Sequence, residues 1–294
     1  MTHIGNELFA WFQSSRSKSR INFLELLRAG HTDYWINEEA LAYMKHQRLA
    51  KAPLERLQQH ELRHFADRTQ WLAHLTDLGI TKKRHRRIAT EGALIGSVLE
   101  HGVSPELGIV SDGAGQFAVL LHALCWVHSE RLVHKLIPLS AAHRADQARV
   151  RTEIWSLYAE LKRYKCQPTA EHKAKCDTRF DEIFSQKTSF ATLNATLARI
   201  AKNKTQLLRV LERPDIPLHT NGSESDIRDY VKKNKVSGGT RSDLGQQCRD
   251  TFASLKKTCR KLGISFWAYL IDRVSRTYAI PPLSQLIEQR AASP

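Results

Sequence analysis

Asp112 is the first residue whose position could support chemistry. It follows the apolar run of IVSDGAGQF, residues 109–117, and two glycines come after it. A short apolar run bounded by Pro105 and Gly113 predicts a buried strand. We therefore expect Asp112 at the end of a strand, where its carboxylate could bind a cation.

Glu224 is the second candidate. In NGSESDIRDYVKK, a helix capped by Asn221 or Ser223 would hold Glu224 in its first turn, where exposed amides and the helix dipole stabilise any carboxylate. Ile227 and Val231 follow at the third and seventh positions, which places their side chains on the same face as Glu224. We expect that face to be buried.

An acid on a buried face requires a positive partner. Arg228, one turn after Glu224, is the simplest partner, and a metal ion is the alternative. Asp112 and Glu224 together could hold Mg²⁺, which prefers carboxylate oxygens and keeps several waters. Two such ions, about 4 Å apart, stabilise the attacking and leaving oxygens of phosphoryl transfer. The spacing of two distant acids does not decide between these interpretations.

The net charge indicates a polyanionic partner. The 294 residues include 45 Lys and Arg against 30 Asp and Glu, a formal charge of +15, so nucleic acid is the first partner to consider. A basic protein without such a partner is the alternative. We expect neither a membrane span nor a secretion signal, and five cysteines in a long chain do not indicate a disulfide framework. A reducing cytoplasm is the expected location.

The apolar pattern predicts both strands and helices. THIGNELFAWF and RINFLELL, joined by SSRSKSR, are predicted to form a two-stranded hairpin. A helix capped by Asn37 follows. Helical periodicity covers residues 53–79, resumes in ATEGALIGSVLEHG from residue 89 and stops at Gly102. HALCWVH predicts the strand after Asp112, and SERLVHKL predicts the next helix.

These elements predict an α/β fold in three parts. Residues 1–139 form the N-terminal part of the core, with a helical excursion over about 45–103. Residues 140–213 form a large helical insertion because their periodicity is almost purely helical. Residues 214–294 form the C-terminal part, with the Glu224 helix and the terminal helices.

Four segments have a family resemblance: VSDGAGQF, CWVHSERLVHKL, PDIPLHTNGSESDIRDYVKKNKVSGGTRSDLG and RDTFASLKKTCRKLGISFWAYL. They closely resemble bacterial insertion-sequence transposases with a ribonuclease-H-like DDE catalytic domain. The branch is the one whose glutamate motif reads Asn-x-x-Glu-x-x-x-Arg, here Asn221, Glu224 and Arg228. The resemblance covers nearly the whole chain and is dense from 88 to 275. It implies a ribonuclease-H-like mixed sheet flanked by helices.

The resemblance also implies the site. In such enzymes the second aspartate follows the fourth core strand, which matches Asp112, and the glutamate lies on a core helix beyond an insertion, which matches Glu224. A Cys-x-x-His pair after the second aspartate matches Cys125 and His128. The acids would hold Mg²⁺ or Mn²⁺ while a water or a 3′-hydroxyl attacks DNA, and His128 and Arg228 would position the acids or a phosphate.

The sequence departs from the family pattern at its start. The first aspartate of the family lies on a strand just upstream of a segment like THIGNELFAWF, which begins here at Thr2. Nothing supports Glu25 or Asp33 as a substitute. We therefore expect the first core strand and its aspartate to be missing, together with the DNA-end-binding region. The chain would then be an N-terminally truncated, inactive derivative or the product of a misplaced start codon.

Basic residues beyond Glu224 are predicted to contact a DNA backbone. They are Lys232, Lys233 and Lys235 on the Glu224 helix, Arg241 in SGGTRS, and Arg249, Lys256 and Arg260 on a helix predicted at about 243–262. A solvated helix face is the alternative. SGGTRS could cradle a phosphate with its backbone amides or form a simple turn.

Two groups of cysteine and histidine have zinc-like spacing. Cys125 and His128 lack a second pair nearby, so a buried cysteine at a strand end is favoured over a metal ligand. Cys166, His172 and Cys176 lie close together in CQPTAEHKAKC, and on a charged helical segment we interpret their proximity as chance.

Two functions are therefore expected. One is transposase-type DNA strand cleavage and transfer, with transposon ends and target DNA as partners. The other is a non-catalytic protein that binds DNA or transposase and acts as a regulator. A full-length transposase and a second copy of the chain are further candidate partners.

Overall fold

The computed structural model describes residues 1–15 and 17–292. The chain separates into two compact units, Met1–Lys18 with Thr220–Pro294 and Ser19–His219. We call the first the terminal unit and the second the central unit. The division into three parts at residues 139 and 213 stays a prediction.

Six short strands occur in the described residues, and they pair as three separate two-stranded sheets. The strands are β1 Thr2–Gly5, β2 Ala10–Gln13, β3 Tyr34–Trp35, β4 His64–Phe65, β5 Gly108–Ser111 and β6 Leu121–Leu124. The first two sheets are antiparallel, and β5 pairs with β6 in parallel. The mixed α/β class is confirmed, whereas the ribonuclease-H-like sheet stays a prediction.

Helices make up most of the described chain. They are α1 Arg20–Leu27, α2 Glu38–His46, α3 Lys51–Gln59, α4 Arg68–Asp77, α5 Lys83–Glu100, α6 Trp126–His134, α7 Ala141–Cys166, α8 Ala170–Ser185, α9 Ala191–Ala201, α10 Lys204–Leu207, α11 Asn221–Val236, α12 Asp243–Lys261, α13 Phe266–Val274 and α14 Leu283–Ala292, with short 3-10 helices at Gly115–Phe117 and Arg209–Leu211. Within the described ranges, no helix combines the length and the apolar character of a membrane crossing.

The hairpin near the start of the chain lies earlier than predicted. Both β1 and β2 come from THIGNELFAWF, and the side chain of Asn6 closes the turn by accepting from the amides of Leu8 (2.8 Å) and Phe9 (3.1 Å). RINFLELL forms α1, so its assignment to a strand was wrong. Ser19 caps α1 by accepting from the Asn22 amide, and the leucines and glutamate that follow favour a helix.

A polar stripe on α12 covers the outer edge of β2. Asp250, Ser254 and Thr258 recur every four residues, and all three are buried. The Ser254 hydroxyl accepts from the Phe12 amide at 2.9 Å. The Thr258 hydroxyl accepts from the Ala10 amide and donates to the Ala10 carbonyl, both at 3.2 Å. These side chains supply the partners that another strand would otherwise give to β2.

Helix α5 forms the centre of the first half of the central unit. Residues 88–98 are all buried, and a Cβ atom at Gly96 would come within 2.4 Å of the Trp35 carbonyl, so only glycine permits this approach of α5 to β3. Asn37 caps α2 as predicted, and α5 ends just before Gly102 as predicted. The helical pattern of residues 53–79 is interrupted by β4, which pairs with β3.

The segment after α6 is almost entirely helical, as its periodicity predicts. The apolar faces of α7, α8 and α9 form one hydrophobic core with α6, which contributes Trp126 and Val133. The Trp126 Nε1 also donates to the Leu207 carbonyl at 2.8 Å. This core therefore anchors α6, which follows β6 directly.

Candidate active site

Asp112 and Cys125 directly follow the parallel strands β5 and β6. Ser111 lies opposite Leu124 in the register, and the amide of Cys125 donates to the Ser111 carbonyl at 2.9 Å. The strand predicted before Asp112 is confirmed. The strand predicted over HALCWVH ends at Leu124, because Trp126 already begins α6. The carboxyl ends of both strands thus meet at one edge, the usual location of ligand sites in parallel sheets.

Asp112 presents its carboxylate from a tight turn. The residue is exposed, and its Oδ1 accepts from the Ala114 amide at 3.1 Å. Gly113 adopts a left-handed conformation, with φ +92°, that glycine adopts without strain. The turn therefore holds the carboxylate at the strand end, accessible to a cation from solvent.

The hydroxyl of Ser111 supports this turn. It accepts from the Gly113 amide at 3.1 Å and lies 2.8 Å from the Nε2 atom of His122. Burial, together with Arg20 and Arg209, lowers the pKa of His122 to about 4. The imidazole is therefore neutral near pH 7, so Nε2 can accept the proton of the Ser111 hydroxyl.

Arg20 joins the Asp112 loop to a buried carboxylate. Its Nη2 donates to the Gly115 carbonyl at 2.7 Å, and its Nη1 lies 3.3 Å from Glu91 Oε2. Glu91 is 1% exposed and also accepts from the Tyr43 hydroxyl at 2.8 Å and from Arg87 at 3.1 Å. Burial, reinforced by Glu91, raises the pKa of Tyr43. Helices α1, α2 and α5 therefore support the loop together.

Cys125 and His128 lie after β6, but they occupy the start of α6 and do not lie along a strand. Cys125 precedes the first residue of α6 and is 1% exposed, and His128 lies half-buried in the first turns of α6. In the part of the chain that the structure describes, the pair belongs to no cluster of three metal-ligand side chains. This arrangement favours the buried-cysteine interpretation.

Glu224 lies in the first turn of α11 in the terminal unit, as predicted. The predicted cap was wrong. The helix begins one residue earlier, because the Thr220 carbonyl already accepts from the Glu224 amide at 2.9 Å. Thr220 is the capping residue and makes no side-chain capping bond, whereas Asn221 and Ser223 lie inside the helix.

The buried face of α11 is not the predicted one. Asp226 and Tyr230 are buried, whereas Val231 is 38% exposed, so the expectation that Val231 packs in the core was wrong. The ring of Tyr230 stacks on Phe12 of β2 with 5.1 Å between centroids, and this contact sets the rotation of the helix. Ile227 is half-buried against the same rings.

Glu224 therefore lies along an open groove on α11. The groove is lined by Glu224, Ile227, Arg228, Val231, Lys232 and Lys235. Arg228 shares this groove with Glu224, as the spacing of one helical turn predicts. The glutamate is half-buried, and the basic side chains beside it give the groove a positive charge.

A buried ion-pair cluster holds α11 against α12. Asp226 Oδ1 lies 3.3 Å from Lys257 Nζ, and its Oδ2 lies 3.2 Å from Lys261 Nζ and 3.4 Å from His3 Nε2. Burial lowers the pKa of His3, although Asp226 acts in the opposite direction. The cluster offsets the cost of burying the Asp226 carboxylate, and it thereby fixes the helix that presents Glu224.

The basic residues predicted to bind DNA differ in exposure. The exposed ones are Lys232, Lys233, Lys235, Arg241, Lys256 and Arg260. Arg249 is half-buried, and its Nη2 donates to the Ser237 hydroxyl at 3.0 Å and to the Gly239 carbonyl at 2.7 Å. The amides of Ser237 and Gly239 are themselves bonded to carbonyls of α11. The first residues of SGGTRS therefore form the turn that ends α11, and Arg249 supports this turn.

Several residues that support the site were missed by sequence reasoning. They are Arg20, Tyr43, Glu91 and His122 around the Asp112 loop, and His3, Asp226, Lys257 and Lys261 around α11. Glu91 left a readable signal, because it is the single acid in the apolar run IATEGALIGSVL and a buried acid needs a cation. Its partner Arg20 lies 71 positions away, and no local pattern connects the two.

Comparisons with known proteins agree with the motif. A family model described as "Transposase IS66 family" matches residues 109–248, a span that includes both Asp112 and Glu224. A protein of Sinorhizobium fredii (strain NBRC 101917 / NGR234), described as "Uncharacterized protein y4jO", is 44% identical over 293 residues, which cover 99% of this chain and 91% of that protein. No solved structure matches the chain. The chain belongs to the IS66 family of insertion-sequence transposases.

Proposed function

We propose that this protein acts in DNA transposition through a DDE-type site, in which Asp112 and Glu224 bind the same divalent cation. Family membership supports the transposase-type role. The observation that most supports the site is the exposed carboxylate of Asp112 at the end of β5, on a loop held by Arg20 and Ser111.

The short connection between the end of β6 and α11 supports the proposal of a shared site. Leu218 accepts a hydrogen bond from the amide of Trp126 at 3.0 Å, and Trp126 is the second residue after β6. Leu218 is therefore held near the end of β6, the strand that pairs with β5. The six residues from Leu218 to Glu224 can span at most about 20 Å. This short connection supports the proposal that the two acids serve one cation.

The donor set fits a hard cation. Asp112 offers a second carboxylate oxygen beside the one bonded to Ala114, and Glu224 offers another carboxylate. Mg²⁺ and Mn²⁺ both accept such oxygens and retain waters. When bound, the ion supplies charge stabilisation for phosphoryl transfer. His128 and Arg228 act beside the acids, by orienting a carboxylate or by contacting a phosphate.

The exposed basic residues of the terminal unit provide a DNA-binding surface in this proposal. Lys232, Lys233 and Lys235 extend from the Glu224 groove along α11, and Arg241, Lys256 and Arg260 are exposed in the same unit. Each would neutralise a phosphate and release counterions. Arg249 contributes indirectly, because it holds the turn between α11 and α12. Transposon ends and target DNA are the proposed ligands.

A non-catalytic role is the second candidate. The DDE pattern has three carboxylates, and Asp112 and Glu224 are the two in this sequence that match it. Asp33, considered as a substitute, is already engaged by the Ser97 hydroxyl at 2.8 Å and by the Trp35 indole at 2.6 Å, and it lies 2.9 Å from His101 Nε2. In this role the protein binds DNA or a transposase and regulates transposition without cutting DNA.

A nicking assay distinguishes the two candidates. Supercoiled DNA is incubated with the full chain and Mg²⁺ or Mn²⁺, using Asp112→Asn and Glu224→Gln as test variants and the exposed Asp77→Asn as the matched control. Nicking that is lost in both test variants and retained in the control supports strand cleavage. DNA binding without nicking supports the regulatory role. Failure to bind DNA at low salt contradicts strand cleavage and a regulator that acts by binding DNA.

A further inference from the structure

A second cluster of metal-ligand side chains lies in the central unit, outside the Asp112 loop. It consists of Glu160 on α7 and His172 and Cys176 on α8. One ligand atom from each side chain, a carboxylate oxygen, a ring nitrogen and Sγ, lies within 4.8 Å of the other two. Elsewhere in the described ranges, no other three such side chains converge in this way.

The backbone places these three residues together for simple reasons. Helices α7 and α8 are adjacent in sequence, joined by residues 167–169, and they pack through the same hydrophobic core. Thr169 caps α8 by accepting from the His172 amide at 3.1 Å. His172 and Cys176 are four residues apart, so they lie one turn apart on the same face of α8, a spacing that lets two side chains bind one ion. Glu160 faces them from α7.

The surroundings leave part of this cluster unsatisfied. Glu160 Oε1 pairs with Lys175 at 3.6 Å and with Arg163 at 3.8 Å, whereas Oε2 is buried and has no hydrogen-bond partner among the described residues. A buried oxygen without a donor is costly, so such atoms usually have a water or an ion beside them. Cys176 is 0% exposed, and His172 packs edge-on against Tyr164 at 5.6 Å.

We propose that Glu160, His172 and Cys176 bind a zinc ion. Thiolate, imidazole and carboxylate are the three side-chain ligands that zinc accepts, and one thiolate and one carboxylate neutralise its two positive charges. Neutrality matters because the site borders an apolar core. A water can complete the coordination from the open depression beside His172, which is lined by Arg163, Gln167, Thr169, Glu171, His172 and Lys175.

Zinc binding at this site releases one proton. Zinc binds cysteine as the thiolate, so the Cys176 thiol loses its proton when the ion binds. Forming the Zn–S bond breaks the S–H bond, and the proton leaves to solvent. Lys175 and Arg163 stay on Oε1 and orient the carboxylate. The ion thereby links α7 to α8 and should stabilise this helical pair.

The structure also supplies a matched control. Cys166, which the sequence groups with His172 and Cys176, is exposed, and its Sγ lies 3.6 Å from the Lys162 carbonyl as a donor. It takes no part in the cluster. Glu160 occupies the third position instead, and no spacing in the sequence points to it because it lies on the preceding helix.

Cobalt substitution tests the site in the full, reduced chain. We expect one equivalent of Co²⁺ to give a thiolate-to-cobalt charge-transfer band that Zn²⁺ displaces. Glu160→Gln and His172→Ala should weaken Co²⁺ binding on the order of 100-fold or more, and Cys176→Ala should remove the band. Cys166→Ala should leave both unchanged. Zn²⁺ should raise the melting temperature of the wild type and of Cys166→Ala, but not of His172→Ala.

Three results would overturn the proposal. They are a folded wild type that shows no charge-transfer band, a wild-type Co²⁺ affinity in His172→Ala and Glu160→Gln, and a band that is lost in Cys166→Ala. Circular dichroism establishes that each variant is folded. Glu160 and His172 are only half-buried, so their variants keep the test decisive even if Cys176→Ala fails to fold.

Discussion

The Nη2 of Arg20 donates a 2.7 Å hydrogen bond to the carbonyl of Gly115, on the loop that presents Asp112. The same guanidinium lies 3.3 Å from the buried carboxylate of Glu91. One arginine therefore serves both as the cation for a core acid and as the anchor of the candidate site loop. The geometry at Asp112 thus depends on the packing of α1 against α5.

Replacing Arg20 should destabilise the protein more than replacing Arg87, the second arginine that contacts Glu91. Arg20→Met leaves Glu91 buried with an incomplete set of partners, and we expect the free energy of unfolding in urea to fall by about 3 kcal/mol. Arg87 also pairs with Glu91 but has a side chain that is 51% exposed, so Arg87→Met should cost about 0.5 kcal/mol. Equal losses in the two variants would contradict this role of Arg20.

His122 should make stability depend on pH below neutrality. Burial, with Arg20 and Arg209, lowers the pKa of His122 from 6.5 to about 4, so the unfolded chain binds its proton at a higher pH than the folded chain. The stabilisation is fully present above pH 6.5 and is lost as the pH falls towards 4. In His122→Gln, the unfolding free energy should decline less between these values. Parallel pH curves for the two proteins would refute the assignment.

The polar stripe of α12 should contribute measurably to the free energy of unfolding. Ser254→Ala leaves the buried amide of Phe12 without its partner, and we expect a loss of about 1–3 kcal/mol in urea unfolding, with faster hydrogen exchange at that amide. Thr251→Ala, at an exposed position of the same helix, should change stability by less than about 0.5 kcal/mol. If Ser254→Ala behaves like Thr251→Ala, the stripe does not support β2.

The lysines of α11 should determine the salt dependence of DNA binding. Replacing Lys232, Lys233 and Lys235 by alanine should flatten the plot of log K against log salt concentration, by about one unit for each of these lysines that binds a phosphate. A triple alanine variant of Lys45, Lys82 and Lys83, three exposed lysines of the central unit, changes the net charge equally. It should keep the wild-type slope, and an equal change in both variants would show that only net charge matters.

Local signals in the sequence were sufficient for the strand before Asp112 and for the capped helix after Asn37. An apolar run that ends in a glycine turn and an asparagine at a helix start act within a few residues, so they can be read directly. RINFLELL is a different case, because a short apolar run suits a strand or a helix equally. The residue that distinguishes the two is the cap Ser19, which lies in the polar segment before the run.

The relationships that depend on distant residues could not be predicted. The rotation of α11 follows from the stacking of Tyr230 on Phe12, two residues from opposite parts of the chain. The edge of β2 is covered by side chains of α12, which no strand pattern indicates. Likewise, the grouping of Glu160 with His172 and Cys176 depends on how α7 packs on α8, so the sequence offered Cys166 instead.

Mn²⁺ binding followed by electron paramagnetic resonance measures whether Asp112 and Glu224 bind one cation, as we propose. Isotherms are compared for the wild type, Asp112→Asn, Glu224→Gln and the double variant. A shared ion predicts that each single substitution weakens the same Mn²⁺ site about tenfold or more, and that the double variant loses little beyond the weaker single. Two independent sites, each lost in one variant only, or wild-type binding in either single variant, would contradict a shared cation.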